Sequence, residues 1–212
     1  MKTYNYYIVI DNTVSTKQFI HYFETALKEF IAAKRREPFA LEGMCLSLYL
    51  VNNDFTKVND SSDLCNFKFE SGIQYSKNSK LKLVPVIKEI LSELNPYNCN
   101  YLLICVDGQI EDSLEMELQI ENIQQNFKRS IGLGIGPIAD VSSLCHICDG
   151  VYQDKEFITR GNLREDIEVI DTFKWFLNSI IRDFSADLDG PMDIIVQPVL
   201  PYIKTIKPPI YT

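Results

Sequence analysis

Short, almost unbroken apolar runs recur along the chain at residues 6–10, 46–51, 101–106 and 131–135, each followed by polar residues and then by a different spacing. Runs of that length without polar alternation read as strands covered on both faces. Between them the period becomes helical. Phe19, Ile20, Phe23, Leu27, Phe30 and Ile31 mark a stripe that begins after Thr16 and closes near Pro38. Val86, Ile87, Ile90, Leu91 and Leu94 mark a second helix over about 83–94, with Pro85 confined to its first turn. Met116, Ile120, Ile123 and Phe127 predict a third over 113–127, capped by Asp112 or Ser113. A shorter helix fits 141–148. A fifth fits 164–184 around Ile167, Ile170, Phe173, Trp175, Phe176, Ile180 and Ile181.

Strands alternating with helices predict an α/β fold: a three-layer, doubly wound, mostly parallel central sheet with helices on both faces and right-handed crossovers. Ligand sites in such sheets collect at the carboxyl ends of strands, where the strand order reverses. The stretch 52–79 is polar and poorly periodic, which predicts a hairpin or irregular loop with one edge strand around 66–69. After Asp187-Leu188-Asp189-Gly190-Pro191 the character changes, because Pro191, Pro198, Pro201, Pro208 and Pro209 disfavour helix. The expected organisation is one domain over 1–186 and a proline-rich C-terminal tail over 187–212, packed across the domain or docked on a partner.

Composition narrows the function classes. The chain has 212 residues, 46% of them hydrophobic, enough for one sizeable core. A formal net charge of −8 gives no long-range attraction to nucleic acid or to an anionic membrane. The basic run Lys34-Arg35-Arg36 is short, is followed by Glu37, and reads as a solvated helix end. No stretch approaches the roughly 18 to 20 apolar residues that span a bilayer, so a cytoplasmic, soluble protein is expected. Six cysteines scattered through a mid-sized chain are expected to be reduced.

Candidate chemistry gathers at two strand ends. The first run leads into Asp11-Asn12-Thr13-Val14-Ser15, which delivers one carboxylate and two hydroxyls together; the run 101–106 leads into Asp107-Gly108 and a second carboxylate. An all-oxygen donor set suits magnesium, manganese or calcium better than zinc or copper.

Asp11-x-Thr13-x-Ser15 after a strand, Asp107-Gly108 after a central strand, and Gly132-Leu133-Gly134-Ile135-Gly136 about 25 residues later together resemble the von Willebrand factor A domain family. In that family an Asp-x-Ser-x-Ser motif, a threonine from a later loop and an aspartate after the fourth strand form a metal-ion-dependent adhesion site. Here Thr13 stands for the first serine and keeps the hydroxyl. Within the family, the segment from Asp171 to Ile180, with Phe173, Lys174, Trp175 and Ser179, resembles the closing helix of bacterial TerY-like proteins associated with tellurite resistance.

The family's loop threonine has no direct counterpart. Ser71-Gly72-Ile73 and Asn78-Ser79 are the available substitutes; Ser79 is preferred because it precedes Leu81 and the helical stripe, and Ser76 is next. The resemblance implies a Mg2+ ion (or Mn2+ or Ca2+) held by Asp11, Thr13, Ser15, Ser79 and Asp107 with an incomplete shell. An Asp or Glu from another protein completes it. The implied function is a metal-dependent protein-interaction module with no catalytic step, in a bacterial stress or tellurite-resistance system.

A rival reading uses the same first motif. In a haloacid-dehalogenase-like, magnesium-dependent phosphohydrolase, Asp11 would be the nucleophile, but the later acidic site offers only Asp140. Glycines 132, 134 and 136 lack the dinucleotide-binding spacing and read as places of close approach. Cys145-His146-Ile147-Cys148 is half a zinc motif without its second half and reads as a pair of core cysteines on a helix. His21 is expected to be a partly buried structural imidazole, Trp175 a core residue, and Glu111, Asp112, Glu115 and Glu117 a solvated helix start.

Overall fold

The computed structural model describes residues 3–59, 62–69, 72–74, 76–155, 163–179 and 198–208. Along the chain these form β1 (Tyr4–Asp11), a 3-10 turn (Val14–Gln18), α1 (Ile20–Lys34), α2 (Pro38–Gly43), β2 (Met44–Val51), β3 (Phe55–Lys57) and β4 (Ser62–Asp63). Then come α3 (Val84–Glu93), β5 (Cys99–Val106), α4 (Ser113–Glu117), α5 (Ile120–Asn126), β6 (Arg129–Ile135), α6 (Val141–Ile147), β7 (Gly150–Asp154), α7 (Leu163–Asn178) and β8 (Lys204–Lys207).

The sheet runs β3-β2-β1-β5-β6-β7-β8, with β4 also paired to β2. The five central strands are parallel, while β3, β4 and β8 run antiparallel at the margins. This is the expected doubly wound α/β architecture. Successive residues of β1 divide between two cores. Tyr6, Ile8 and Ile10 pack with Phe23, Leu27, Phe173 and Phe176 of α1 and α7. Tyr7 and Val9 pack with Val86, Ile87, Ile90, Ile123 and Leu144 of α3, α5 and α6. A strand buried on both faces cannot alternate apolar with polar, which is why β1, β2 and β5 are continuous apolar runs in the sequence.

The chain leaves β1 for β2 on one side and later crosses to β5 on the other, so the strand order reverses between β1 and β5. The chain leaves β1 toward α1 on one face of the sheet and leaves β5 toward α4 and α5 on the other, and both carboxylate-bearing strand ends border that point.

Several local expectations are revised. The segment 113–127 forms two helices, because Leu118 and Gln119 donate to Glu115 and Met116, three residues back, and tighten the chain between α4 and α5. Asp112 stands at the head of α4 but does not cap it. Its carboxylate instead accepts from the Leu83 and Val84 amides at 2.9 and 2.8 Å, capping α3 across 29 residues. The edge strands of the polar stretch are β3 and β4, not residues 66–69; there Asp63 accepts from Asn66 and turns the chain. His21 is exposed, its ring tilted against that of Tyr22. Arg35 is not merely solvated, since its guanidinium donates to the Leu64 and Phe67 carbonyls and ties the end of α1 to the loop beyond β4.

Two strands carry weak sequence signals: β7, whose five residues are all buried, and β8. Residues 204–207 of the proline-rich segment pair with β7, and Lys207 Nζ donates to the Cys145 and Cys148 carbonyls at the end of α6. The expected helix continuation over 180–184 and the segment 187–197 lie outside the described residues.

Candidate metal centre

β1 ends at Asp11: Asn12 N–H bonds the Val51 carbonyl of β2 at 2.7 Å, and the chain then lifts into the 3-10 turn. Thr13 N–H donates to Asp11 Oδ1 at 2.9 Å, and Thr16 Oγ donates to the Thr13 carbonyl at 2.8 Å. Carboxylate and hydroxyls are therefore presented by a short, self-bonded turn. Across the reversal point, Asp107 N–H donates to Asp11 Oδ2 at 3.2 Å. Ser15 Oγ donates to Asp107 Oδ1 at 2.6 Å, and the Thr13 and Ser15 hydroxyls lie 2.9 Å apart. Four of the five proposed ligand residues thus form one contiguous hydrogen-bonded cluster.

The electrostatics of the cluster are unfavourable for bare carboxylates. Asp11 is 1% exposed and Asp107 is 6% exposed. Burial, followed by the charge of Asp11, pushes the Asp107 carboxyl up to about 7, against the opposing hydrogen bond from Ser15. Cys105 lies buried beside them, and burial with the two carboxylate charges holds its thiol well above the usual range, so it adds no thiolate. Two buried, mutually repelling carboxylates with hydroxyls beside them fit a hard divalent cation, which would supply the missing positive charge. Among the described residues no group of three or more His, Cys, Asp and Glu side chains is arranged to hold a metal, so such an ion would depend on hydroxyl and water ligands.

The fifth residue, Ser79, is on a separate loop that runs against the cluster. Ser76 N–H donates to the Asn12 carbonyl at 3.1 Å, Val14 N–H donates to the Asn78 carbonyl at 2.9 Å, and the Asn12 side-chain amide donates to the Gln74 carbonyl at 3.1 Å. Ser79 itself is exposed and hydrogen-bonds to none of the other four. Ser76 Oγ accepts from Asn78 N–H, so its hydroxyl is already engaged in a local turn. Ser71, the remaining hydroxyl weighed from sequence, lies outside the described residues. Beyond Ser79 the loop pairs Leu81 with Ile110, Glu111 N–H bonds the Leu81 carbonyl at 2.9 Å, and Lys80 pairs with Glu111 at 3.3 Å.

Asp140, the acid that the phosphohydrolase reading requires, is committed elsewhere. Its carboxylate accepts from Ser142 Oγ, Ser143 N–H, Ser143 Oγ and Ile110 N–H at 3.0, 3.0, 2.7 and 3.3 Å. Burial alone would raise this group, but those hydrogen bonds outweigh it and hold the carboxyl below its usual value. Asp140 caps α6 and steadies the loop after Asp107. Gly132 and Gly134 let α6 come close: a Cβ on Gly134 would meet Val141 Cγ1 at 2.6 Å. Residues that sequence reasoning missed are those acting over distance, Asp112 on α3 and Glu24, whose carboxylate accepts from the Gly72 and Ile73 amides. No periodicity or motif marks them.

No protein-family model and no curated protein matches the chain. Solved structures do. The ArnB paralog VWA2 from Sulfolobus acidocaldarius is 16% identical with a TM-score of 0.52, covering 82% of this chain and 45% of that one. Proximal thread matrix protein 1 from the mussel byssus, in a form with a zinc-occupied MIDAS motif, is 14% identical with a TM-score of 0.59, covering 81% and 46%. A von Willebrand factor type A protein from Catenulispora acidiphila is 14% identical with a TM-score of 0.57, covering 84% and 43%. The chain spans less than half the length of these proteins. The fold is that of von Willebrand factor A domains.

Proposed function

We propose that this domain is a metal-dependent protein-interaction module, in which Asp11, Thr13, Ser15 and Asp107 hold a divalent cation and Ser79 joins directly or through water. The observation that carries the reading is the buried pair Asp11 and Asp107, brought together from strand ends 96 residues apart, joined by the Asp107 N–H bond to Asp11, with the Ser15 hydroxyl donating to Asp107. Magnesium or manganese fits the all-oxygen set, with calcium the alternative. An ion held by two carboxylates and neutral hydroxyls keeps open, water-filled coordination positions, and a carboxylate from a partner's Asp or Glu fills one of them.

Val14 and Ile138 support a protein partner. Both are apolar and exposed, Val14 within the first motif and Ile138 on the loop whose carbonyl accepts from Gln109 beside Asp107. The reading assigns no catalytic step. A bacterial cytoplasmic setting, with a TerY-like role in stress or tellurite resistance, belongs to the same proposal and rests on the Lys174-Trp175 helix alone. The packing of that helix also has a structural account: Trp175 meets Tyr152 edge-on at 4.7 Å and Lys174 pairs with Glu29 at 2.5 Å. No helix among the described residues is long and apolar enough to cross a membrane.

Titration calorimetry with Mg2+ and Mn2+ tests the reading: saturable uptake by the parent chain and none by Asp11→Ala are expected. Equal uptake by both would remove Asp11 from any ion site. A pull-down run with Mg2+ and with chelator then asks whether partners leave with the metal.

A further inference from the structure

We propose that Glu24, a buried carboxylate on α1, is a positioning residue for the candidate metal centre: it fixes the loop carrying Ser76 and Ser79 and thereby sets the affinity of the site for a divalent ion. This rests on the metal reading above. Glu24 is 9% exposed, an expensive place for a charge without partners. Its partners are two successive backbone amides. Oε1 accepts from Gly72 N–H at 3.0 Å and from Ile73 N–H in a shorter contact.

Consecutive amides converge on one oxygen only when the chain between them takes an unusual turn, and Gly72 supplies it with φ +102°. Open space surrounds the position where its Cβ would be, so glycine is needed there for its backbone and not for room. The result is a small anion-binding concavity filled by the protein's own carboxylate, with charge-assisted bonds stronger than neutral ones.

What lies beyond the clamp gives it a consequence. From Ile73 to Lys80 the described chain forms neither helix nor strand, so its placement depends on discrete contacts. On the site side these are the Asn12 amide on the Gln74 carbonyl, Ser76 N–H on the Asn12 carbonyl and Val14 N–H on the Asn78 carbonyl. On the far side they are the Leu81–Ile110 bridge and Glu111 N–H on the Leu81 carbonyl. Glu24 anchors the entrance to the loop from α1. With it gone, the segment before Ser76 loses its tether, and the serines are held only by bonds that any shift of the loop strains.

The test uses the full chain with Mn2+ as the probe, read by titration calorimetry, and amide hydrogen exchange over residues 72–82. Glu24→Ala is expected to weaken Mn2+ binding roughly tenfold, the scale of losing a residue that orients a metal ligand. Glu24→Gln keeps an acceptor oxygen and should lose less. Gly72→Ala, which leaves the carboxylate untouched, should weaken binding in the same direction. Ser76 and Asn78 amides should exchange faster in Glu24→Ala while α1 amides keep their protection. In a Ser79→Ala background, Glu24→Ala should cost little further affinity, which separates positioning of that serine from general loosening. If the parent binds Mn2+ and Glu24→Ala binds it equally well, or if loop exchange is unchanged, the clamp proposal is overturned while the metal reading stands. If the parent takes up no Mn2+, the metal reading fails and the role of Glu24 at the site fails with it.

Discussion

Asp107 N–H donates to a carboxylate oxygen of Asp11 at 3.2 Å, although 96 residues separate the two. That bond places two acids at the sheet's reversal point, and their mutual repulsion has measurable effects.

The first is a pH-dependent response to metal. The folded-state value of the Asp107 carboxyl, about 7, lies above its ordinary value of 3.8, so between these limits the folded chain holds more protons than the unfolded chain. This contribution to stability therefore falls as pH rises through that window, and the full penalty is present above about 7. A bound divalent ion offsets the penalty, and protons compete with the ion at lower pH. Thermal unfolding should show a larger Mg2+-induced rise in Tm at about pH 8 than at about pH 5.5. With ion about a hundredfold above Kd, linkage gives about 2.7 kcal/mol, a rise of roughly 5 to 10 °C for a domain of this size. Asp107→Asn should abolish the Mg2+ response and flatten the metal-free pH trend.

Ser15 is expected to act twice, as a hydroxyl ligand and as the donor that favours ionised Asp107. Ser15→Ala should weaken Mn2+ binding by at least about tenfold. It should also move the pH midpoint of metal uptake upward, since the hydrogen bond opposing protonation is gone. Titration calorimetry over a pH series reads both. An unchanged midpoint would mean that the Ser15 bond does not tune Asp107.

Asp140→Ala removes the cap of α6 and leaves four donors, one of them the Ile110 amide, without their acceptor. Urea unfolding should show a loss of about 1 to 2 kcal/mol. Because the Asp140 carboxyl is held below its usual value, its contribution is complete above the ordinary carboxylate range and is lost as pH falls through the lowered value. The difference between parent and variant should therefore shrink in strong acid.

Gly134→Ala tests the close approach of α6 to β6. The new Cβ would stand 2.6 Å from Val141 Cγ1 and 3.1 Å from Ala139 Cβ, and a branched side chain next to the α6 cap has little freedom to yield. Overpacking of this kind costs about 1 to 3 kcal/mol. A fall in the urea midpoint at unchanged slope would report it, and an unchanged midpoint would show that α6 moves aside freely.

Much of this molecule is legible in its residue order, for a physical reason. β1, β2, β5 and β6 are covered on both faces, so each is written as a continuous apolar run. Asp11, Thr13 and Ser15 are legible because the turn holding them is local, and Asp107 because it ends a run of that kind. Contacts that join distant segments leave no such mark. Asp112 looks like a cap for the helix it precedes, yet serves α3. Glu24 looks like one more polar residue on a helix, and its role depends on a glycine 48 residues later. β7 is only five residues long and contains Gln153 and Asp154, so its burial is invisible to any count of hydrophobic positions. The loop hydroxyl is the least legible element, because nothing local separates Ser79 from Ser76.

Strand β8 has a bearing on how this chain behaves in concentrated solution. At the opposite margin β3 and β4 are only three and two residues long, too short to template another chain, whereas β7 is a buried strand with a full ladder to offer. By pairing with it, β8 covers that ladder with a four-residue strand that carries an exposed Lys204 and is tied to α6 through Lys207. Proteolytic removal of β8 would strip that cover, and the clipped molecules would be left with an adhesive edge through which to stack into aggregates.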